Sequence, residues 1–263
     1  KHVYRPGHAD YTQSLKYGLR DHRGGGRSSI RVTAPLVAAG EIARQYVSHF
    51  MPLKIQAYVT QIGNISASSM MFDEEFSSRI ENSEVRCPDE DATKSMLQVI
   101  EQARSNGDTL GGVIRCRISG LLPGLGEPIF GKFQAGLSHA MMAINTVKGI
   151  EFGNGFQTAS LRGSEHNDTF IVENDMVKPA TNHHSGLLGG ISTGCDLDFS
   201  VAFKPISSIR QAQQTVNALG ESIHLEIQGR HDVCAVPRAV PIVEAYTALV
   251  VADLLSYSKH AKL

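Results

Sequence analysis

Residues 240–257, V-P-I-V-E-A-Y-T-A-L-V-V-A-D-L-L-S-Y, decide the fold. The stretch has the length of one long helix, and Ile242, Val243, Tyr246, Leu249, Val250 and Leu254 leave it almost no polar side. A helix apolar nearly all round belongs inside a molecule, covered from more than one direction. The partners that could cover it are legible on either side. Residues 53–62 (L-K-I-Q-A-Y-V-T-Q-I), 112–119 (G-V-I-R-C-R-I-S), 197–203 (L-D-F-S-V-A-F) and 223–227 (I-H-L-E-I) alternate with the period of a strand. Helical spacing returns at 33–50, through Val37, Ala38, Ile42, Ala43, Tyr46 and Val47, with Thr33 placed to cap it and Pro35 tolerable in its first turn. A second helix is predicted from Pro88–Asp91 to Asn106, with Gly107 as its stop, and a third from Lys132 to Val147 with Phe133, Leu137, Ala140, Met141 and Ile144 inward. Residues 5–29 show no sustained apolar period and read as loops and turns, and 121–130 (L-L-P-G-L-G-E-P-I-F) reads as a turn-rich link. Strands separated by long helices predict an α/β or α+β protein, and no composition shift divides residues 1–263 into more than one domain.

With 41% hydrophobic and 19% charged residues the chain is of the folded globular kind, and the absence of Trp leaves aliphatic side chains to fill the core. A net charge of −1 gives no global field to draw in nucleic acid or a membrane surface. Locally the charge is uneven: Lys1, Arg5, Lys16, Arg20, Arg23, Arg27 and Arg31 face only Asp10 and Asp21 in the first 31 residues, which suits a small anion. No apolar run reads as a membrane span. Cys87, Cys116, Cys195 and Cys234 are far apart, with no C-x-x-C pair, and read as reduced thiols. Adjacent His183 and His184 cannot share a metal from one helix face, so no metal site is expected. Gly124-Leu-Gly126 lacks the third glycine of a dinucleotide fingerprint, with Ile129 in its place, and 24–29 (G-G-G-R-S-S) lacks the lysine of a P-loop.

Five constellations carry chemistry. In R-P-G-H-A-D-Y-T (5–12), His8 lies in a polar loop with Arg5, Asp10 and Tyr11, where an imidazole can exchange a proton near neutral pH. In R-G-G-G-R-S-S-I-R (23–31), three glycines allow close backbone approach, Ser28 and Ser29 offer hydroxyls, and Arg27 and Arg31 offer forked donors to phosphate or carboxylate. K-P-I-S-S (204–208) sets a lysine and two hydroxyls at a strand end. G-R-H-D (229–232) sets Arg230 beside Asp232, an anion ligand next to a proton acceptor or simply an ion pair. L-L-G-G-I-S-T-G (187–194) is a glycine-rich turn against which a flat ligand could lie. Together these loops describe an enzyme for a polyanionic small molecule and stop short of naming a reaction.

Those same residues resemble the chorismate synthase family. The stretch from Arg5 to Arg31 is similar to the family's long loop signature. V-A-A-G (37–40), G-L-G-E-P (124–128), S-H-A-M-M-A-I-N-T-V-K-G (138–149), R-G-S-E-H-N-D (162–168), L-L-G-G-I-S (187–192), K-P-I-S-S (204–208), G-R-H-D-V-C (229–234) and P-R-A-V-P-I-V-E-A (237–245) follow in the family's order. The resemblance implies a 1,4-elimination of phosphate from 5-enolpyruvylshikimate 3-phosphate to give chorismate, in the shikimate pathway to the aromatic amino acids. It implies reduced FMN as cofactor, NADPH as a candidate reductant, and an α+β fold of the β-α-β sandwich type, assembled as a cytoplasmic homotetramer. By resemblance His8 is the histidine that protonates the reduced flavin, and Asp232 the aspartate that assists proton removal beside it. Arg27, Ser28, Ser29, Asn145, Thr146, Gly189, Lys204, Pro205, Ile206, Ser207, Ser208 and Arg230 fall on flavin-binding positions, and Arg31 and Arg230 on substrate-binding ones.

The sequence departs from the family's pattern at Gln13, Val32, Leu36 and Val233, none of them a residue just named. The family also opens with a segment carrying a second active-site histidine and an arginine pair that grips substrate, and nothing here matches it. Two expectations follow: an FMN-dependent lyase, or a shortened, inactive fragment that keeps flavin and anion binding. A structural subunit with no flavin chemistry is a third reading, at odds with the retained His8, Arg27, Ser28, Ser29, Arg230 and Asp232.

Overall fold

The computed structural model describes residues 3–68, 72–173, 175–227, 229 and 231–258. In chain order the elements are α1 (Asp10–Tyr17), α2 (Ala34–Ser48), β1 (Lys54–Ile62), β2 (Ile65–Ser66), α3 (Phe76–Asn82), α4 (Glu90–Ser105) and β3 (Gly112–Ser119). There follow α5 (Phe133–Met142), β4 (Val147–Phe152), α6 (Gly163–His166), β5 (Phe170–Glu173), β6 (Met176–Pro179), β7 (Leu187–Leu188) and β8 (Ile191–Ser192). Last come β9 (Leu197–Phe203), β10 (Gln213–Val216), β11 (Ser222–Leu225) and α7 (Val236–Ser258). The fold is α+β.

A five-stranded antiparallel sheet in the order β2-β1-β3-β9-β4 forms one layer. Alternation sends Ile55, Ala57 and Val59 of β1, Ile114, Cys116 and Ile118 of β3, and Leu197, Phe199, Val201 and Phe203 of β9 into one buried cluster. The second layer is helical. α7 crosses β1 and β3, α5 lies along β4, and α2 packs on α7. Val236, Val240, Val243, Ala248, Val251 and Leu255 of α7 join the same cluster, each larger aliphatic side chain contributing about 1.5–3 kcal/mol on burial. α7 is long and apolar enough to cross a membrane by length and composition, but half of its most apolar window is spent on this core. On the sheet's other face Tyr58 packs with Phe76 and Ile80 of α3, and Arg117 bonds Asp198 while lying 3.4 Å from the centre of the Phe72 ring.

The open edge of β1 is closed from within. The Ala57 N–H donates to Glu244 Oε1 of α7 at 2.9 Å, and the Val59 N–H donates to the Arg86 carbonyl at 2.9 Å. A strand edge whose donors are taken cannot recruit a foreign strand there. Burial pushes the Glu244 carboxyl up, against the pull of the Ala57 N–H and Arg44.

Several expectations need correction. Residues 5–29 are not all loop: α1 occupies 10–17 with only Asp10 buried, so it has no apolar stripe for periodicity to detect. The predicted 132–147 helix stops at Met142, because Thr146 takes φ 71° and turns the chain into β4, whose Val147 pairs with Phe203. Thr33 does precede α2, but its hydroxyl donates back to the Ile30 carbonyl at 2.6 Å and caps nothing. The strand predicted at 223–227 runs 222–225, and α7 begins four residues before Val240 with Pro241 inside it.

α2 and α7 meet backbone to backbone. A Cβ on Gly40 would fall 2.4 Å from the Ala245 Cβ and 2.5 Å from its Cα. Neither atom can rotate away, so Gly40→Ala is expected to lower unfolding stability by about 1–3 kcal/mol, the usual cost of overpacking. An unchanged urea midpoint in this variant would show that the two helices can separate freely.

Candidate active site

The end of the sheet where β9 finishes and β4 begins gathers most of the polar residues singled out above. Lys204-Pro205-Ile206-Ser207-Ser208 leaves β9 there. Its first N–H donates to the Thr146 carbonyl at 2.9 Å, and its centre is held by Thr109 Oγ1 donating to the Ile206 carbonyl at 2.6 Å. The loop from Arg5 to His8 lies across it. Gly7 takes φ 69°, and a Cβ there would stand 2.7 Å from Ser207 Oγ. Ser207 Oγ donates to the Gly7 carbonyl at 2.9 Å, and Lys204 Nζ donates to Ser207 Oγ at 2.5 Å. The lysine and hydroxyl expected to face a ligand are therefore partly spent on joining the two loops.

His8 is held at both ring nitrogens. Nδ1 lies 3.1 Å from the Pro6 carbonyl and Nε2 lies 2.9 Å from Ser208 Oγ. Burial lowers its pKa, opposed by the Pro6 carbonyl; the nearby charges of Arg5 and Lys204 lower it further while Asp10 raises it. Asp10 pins the whole loop. Its buried carboxylate accepts from Arg5 Nε at 2.7 Å and Arg5 Nη2 at 2.8 Å, with Arg20 Nη1 at 3.1 Å. Burial pushes the Asp10 carboxyl up, but the Arg5 hydrogen bonds and charge outweigh it and leave the group below its ordinary value. A second strap ties the chain start to β10: Thr215 Oγ1 donates to the Tyr4 carbonyl at 2.6 Å.

The glycine-arginine loop joins from the other side. Residues 26–28 form a 3-10 turn. Asn145 Nδ2 donates to the Ser28 carbonyl at 3.0 Å, and Gln13 Nε2 donates to Ser28 Oγ at 2.8 Å. Ser29 Oγ accepts from the Arg31 N–H at 3.3 Å. Arg27 and Arg31 are exposed and make no ion pair among the described residues. Thus His8, Ser28, Asn145, Thr146 and 204–208 form one contact chain.

Asp232 enters through a cleft of about 330 Å³ lined by Ser208, Arg210, His231, Asp232 and Arg238 among others. Arg238 Nη1 donates to Asp232 Oδ2 at 2.7 Å, and the buried His231 Nε2 has no partner among the described residues. Arg238, six residues on and inside α7, is an ion partner of Asp232, and Arg230 lies outside the described residues. Gly189 is not brought to this place. It sits in the β7–β8 turn before β9, where the Phe133 N–H donates to the Gly190 carbonyl at 2.8 Å. β9 itself, about 20 Å at the rise of a strand, runs between that end of the sheet and Lys204.

The 162–168 motif is put to another use. Asp168 accepts from Thr181 Oγ1 at 2.6 Å, from the His183 N–H at 2.8 Å and from His184 Nδ1 at 2.9 Å. Burial works against its charge, yet these donors hold its carboxyl well below the usual range. No metal-binding group of three or more ligands exists among the described residues.

The family model described as chorismate synthase matches residues 1–256. The chain belongs to the chorismate synthase family. Chorismate synthase of Parabacteroides distasonis is 49% identical over 259 residues, covering 98% of this chain and 72% of the relative. That of Porphyromonas gingivalis is 48% identical over 261 residues, covering 99% and 71%. A crystal structure of chorismate synthase superposes with a TM-score of 0.78 at 29% identity, covering 95% of this chain and 70% of that one. Membership makes the chain an enzyme of the carbon–oxygen lyase class, and the superposition gives it the α+β fold of chorismate synthase.

The His8 geometry has a consequence for pH. A histidine whose folded pKa is lowered binds its proton more weakly folded than unfolded, so its contribution to stability is present above the ordinary value near 6.5 and is lost as pH falls below it. Unfolding measured from pH 7.5 down to 5 should show this loss, and His8→Gln should flatten that part of the curve. An NMR titration of His8 at or above the ordinary value would contradict it.

Proposed function

We propose that this protein converts 5-enolpyruvylshikimate 3-phosphate to chorismate by 1,4-elimination of phosphate, with reduced FMN bound beside the substrate. The observation that carries this reading is the route from His8 to Ser208 at 2.9 Å and from Ser208 to the cleft that Asp232 also lines. Two proton-handling groups far apart in sequence thus address one space. The residues present fit a flat, phosphate-bearing cofactor. Arg27 and Arg31 offer cations with no protein ion pair among the described residues, Gly24 and Gly26 leave the backbone open, and His231 Nε2 in the cleft has no hydrogen-bond partner among the described residues.

When bound, reduced FMN supplies the electron density that eases departure of the phosphate. The chain's own part is electrostatic and protonic. Arg27 and Arg31 offset the negative charge of carboxylate and phosphate, an effect that strengthens as water leaves the site. His8 keeps one proton at Nδ1 against the Pro6 carbonyl and can take or release another at Nε2. Asp232 has Oδ2 held by Arg238, and its Oδ1, with no hydrogen bond among the described residues, can accept a proton. Asn145 braces the turn that carries Arg27 through the Ser28 carbonyl, and Thr146 braces the loop that begins at Lys204. The same reading includes NADPH as a reductant of the flavin and a homotetramer in the cytoplasm.

An anaerobic assay with pre-reduced FMN, run with and without NADPH, tests the activity. His8→Ala and Asp232→Asn should each lower kcat by about 10²–10⁴-fold, the range of general acid–base groups. Arg27→Ala should weaken flavin binding more than it lowers kcat. Full turnover in both the His8 and Asp232 variants would remove the basis for this site.

A further inference from the structure

His8 has a single route for its exchangeable proton. A carbonyl oxygen only accepts, so the contact with Pro6 places a proton on Nδ1 and leaves Nε2 as the basic nitrogen of the neutral ring. Nε2 meets Ser208 Oγ at 2.9 Å, and Ser208 is 8% exposed. The loop contacts at Gly7, Ser207 and Lys204 close over this pair. Ser208 also lines the cleft shared with His231 and Asp232, so this one residue bonds His8 through its hydroxyl and borders the cleft as well.

We propose that Ser208 positions His8 and relays its proton, connecting Nε2 to the cleft that contains Asp232. The proposal rests on the reading of His8 and Asp232 given above and adds a role that flavin binding does not require. In the outward direction, protonated Nε2 gives its hydrogen to Ser208 Oγ while Ser208 gives its own to an acceptor in the cleft. The N–H and O–H bonds broken are matched by the O–H bonds formed, one proton moves, and no electrons change hands. In the inward direction the same two hydrogens move back. With His8 neutral, Ser208 donates to Nε2 and fixes the ring's tautomer and tilt, which is the positioning half of the role.

The charges around this pair set its pH response. Arg5, Asp10 and Lys204 face His8 from its own loop and from the end of β9. Arg210, His231, Asp232 and Arg238 face the cleft side. None of these bonds Nε2, so their influence on the ring is through space, whereas that of Ser208 is through a hydrogen bond.

Ser208→Ala and Ser208→Thr in the full-length protein, alongside His8→Ala, test the idea by turnover and by FMN titration. Ser208→Ala should lower kcat about 10–100-fold, well beyond any accompanying rise in KM or in the FMN Kd, and should shift the pH–rate limb that His8→Ala abolishes. Ser208→Thr, which keeps the hydroxyl, should recover turnover to within about fivefold. If the added methyl prevents folding, the ¹⁵N resonance of His8 Nε2 in Ser208→Ala, measured without ligand, serves instead; it should move toward that of an unbonded ring nitrogen. A Ser208→Ala enzyme with normal kcat and an unaltered pH profile beside an impaired His8→Ala enzyme overturns the relay alone. Normal turnover in His8→Ala overturns the site reading and the relay with it. A Ser208→Ala enzyme that loses FMN affinity in proportion to kcat assigns the hydroxyl to flavin binding and also overturns the relay.

Discussion

The approach of Gly7 to Ser207 constrains the functional end of this molecule more than any other contact. The two loops touch so closely that no side chain fits at residue 7, whose φ is itself positive. That closeness lets Ser207 reach a backbone carbonyl and lets His8, one residue on, reach Ser208. The contact is held from outside by Asp10, whose two arginines fix the outgoing side of the loop, and by Thr215, which fixes its incoming side at Tyr4. A buried carboxylate with bidentate arginine hydrogen bonds is expensive to disturb, since loss of one partner leaves an unpaired charge.

The sheet delivers the other half of that contact. Antiparallel register sets Phe203 opposite both Val147 and Gly112, so the chain leaving β9 emerges beside Thr146 and Gly111. Lys204 begins its loop with a backbone bond to Thr146, and Thr109 clasps the loop two residues further on. The rigidity of this arrangement comes from α7, which closes the β1 edge through Glu244 and meets α2 at a glycine. Loops held on such a scaffold can be long and polar and still keep fixed geometry.

Much of the fold was readable because burial has a period. β1, β3 and β9 alternate, and the structure begins and ends the latter two where the alternation does. α7 was readable from its apolar surround, although its first turn, V-P-R-A, was not, since polar and proline residues there mask the start. α1 escaped because it buries a carboxylate instead of a hydrophobic face. β5 and β6 escaped for a related reason: Phe170, Val172 and Val177 are exposed, so no inside and outside distinguish their residues. Among the site residues, the types and motifs were visible, but pairings were not. Asp232 bonds Arg238, six residues on, because the start of α7 turns that side chain back over the cleft. Gly189 shares a motif character with the site loops yet opens at the other end of β9.

The amino-acid sequence alone determined which segments must be buried, which loops are rich in glycine and cation, and, through ordered motifs, the family to which they correspond. These are properties of local composition and spacing, and they survive in a one-dimensional reading. Tertiary structure decided that His8 meets Ser208, that Asn145 holds the Ser28 turn, and that Thr109 holds Ile206. Each of those bonds joins residues separated by roughly a hundred positions or more, and their geometry depends on strand register and loop closure, which no local pattern encodes.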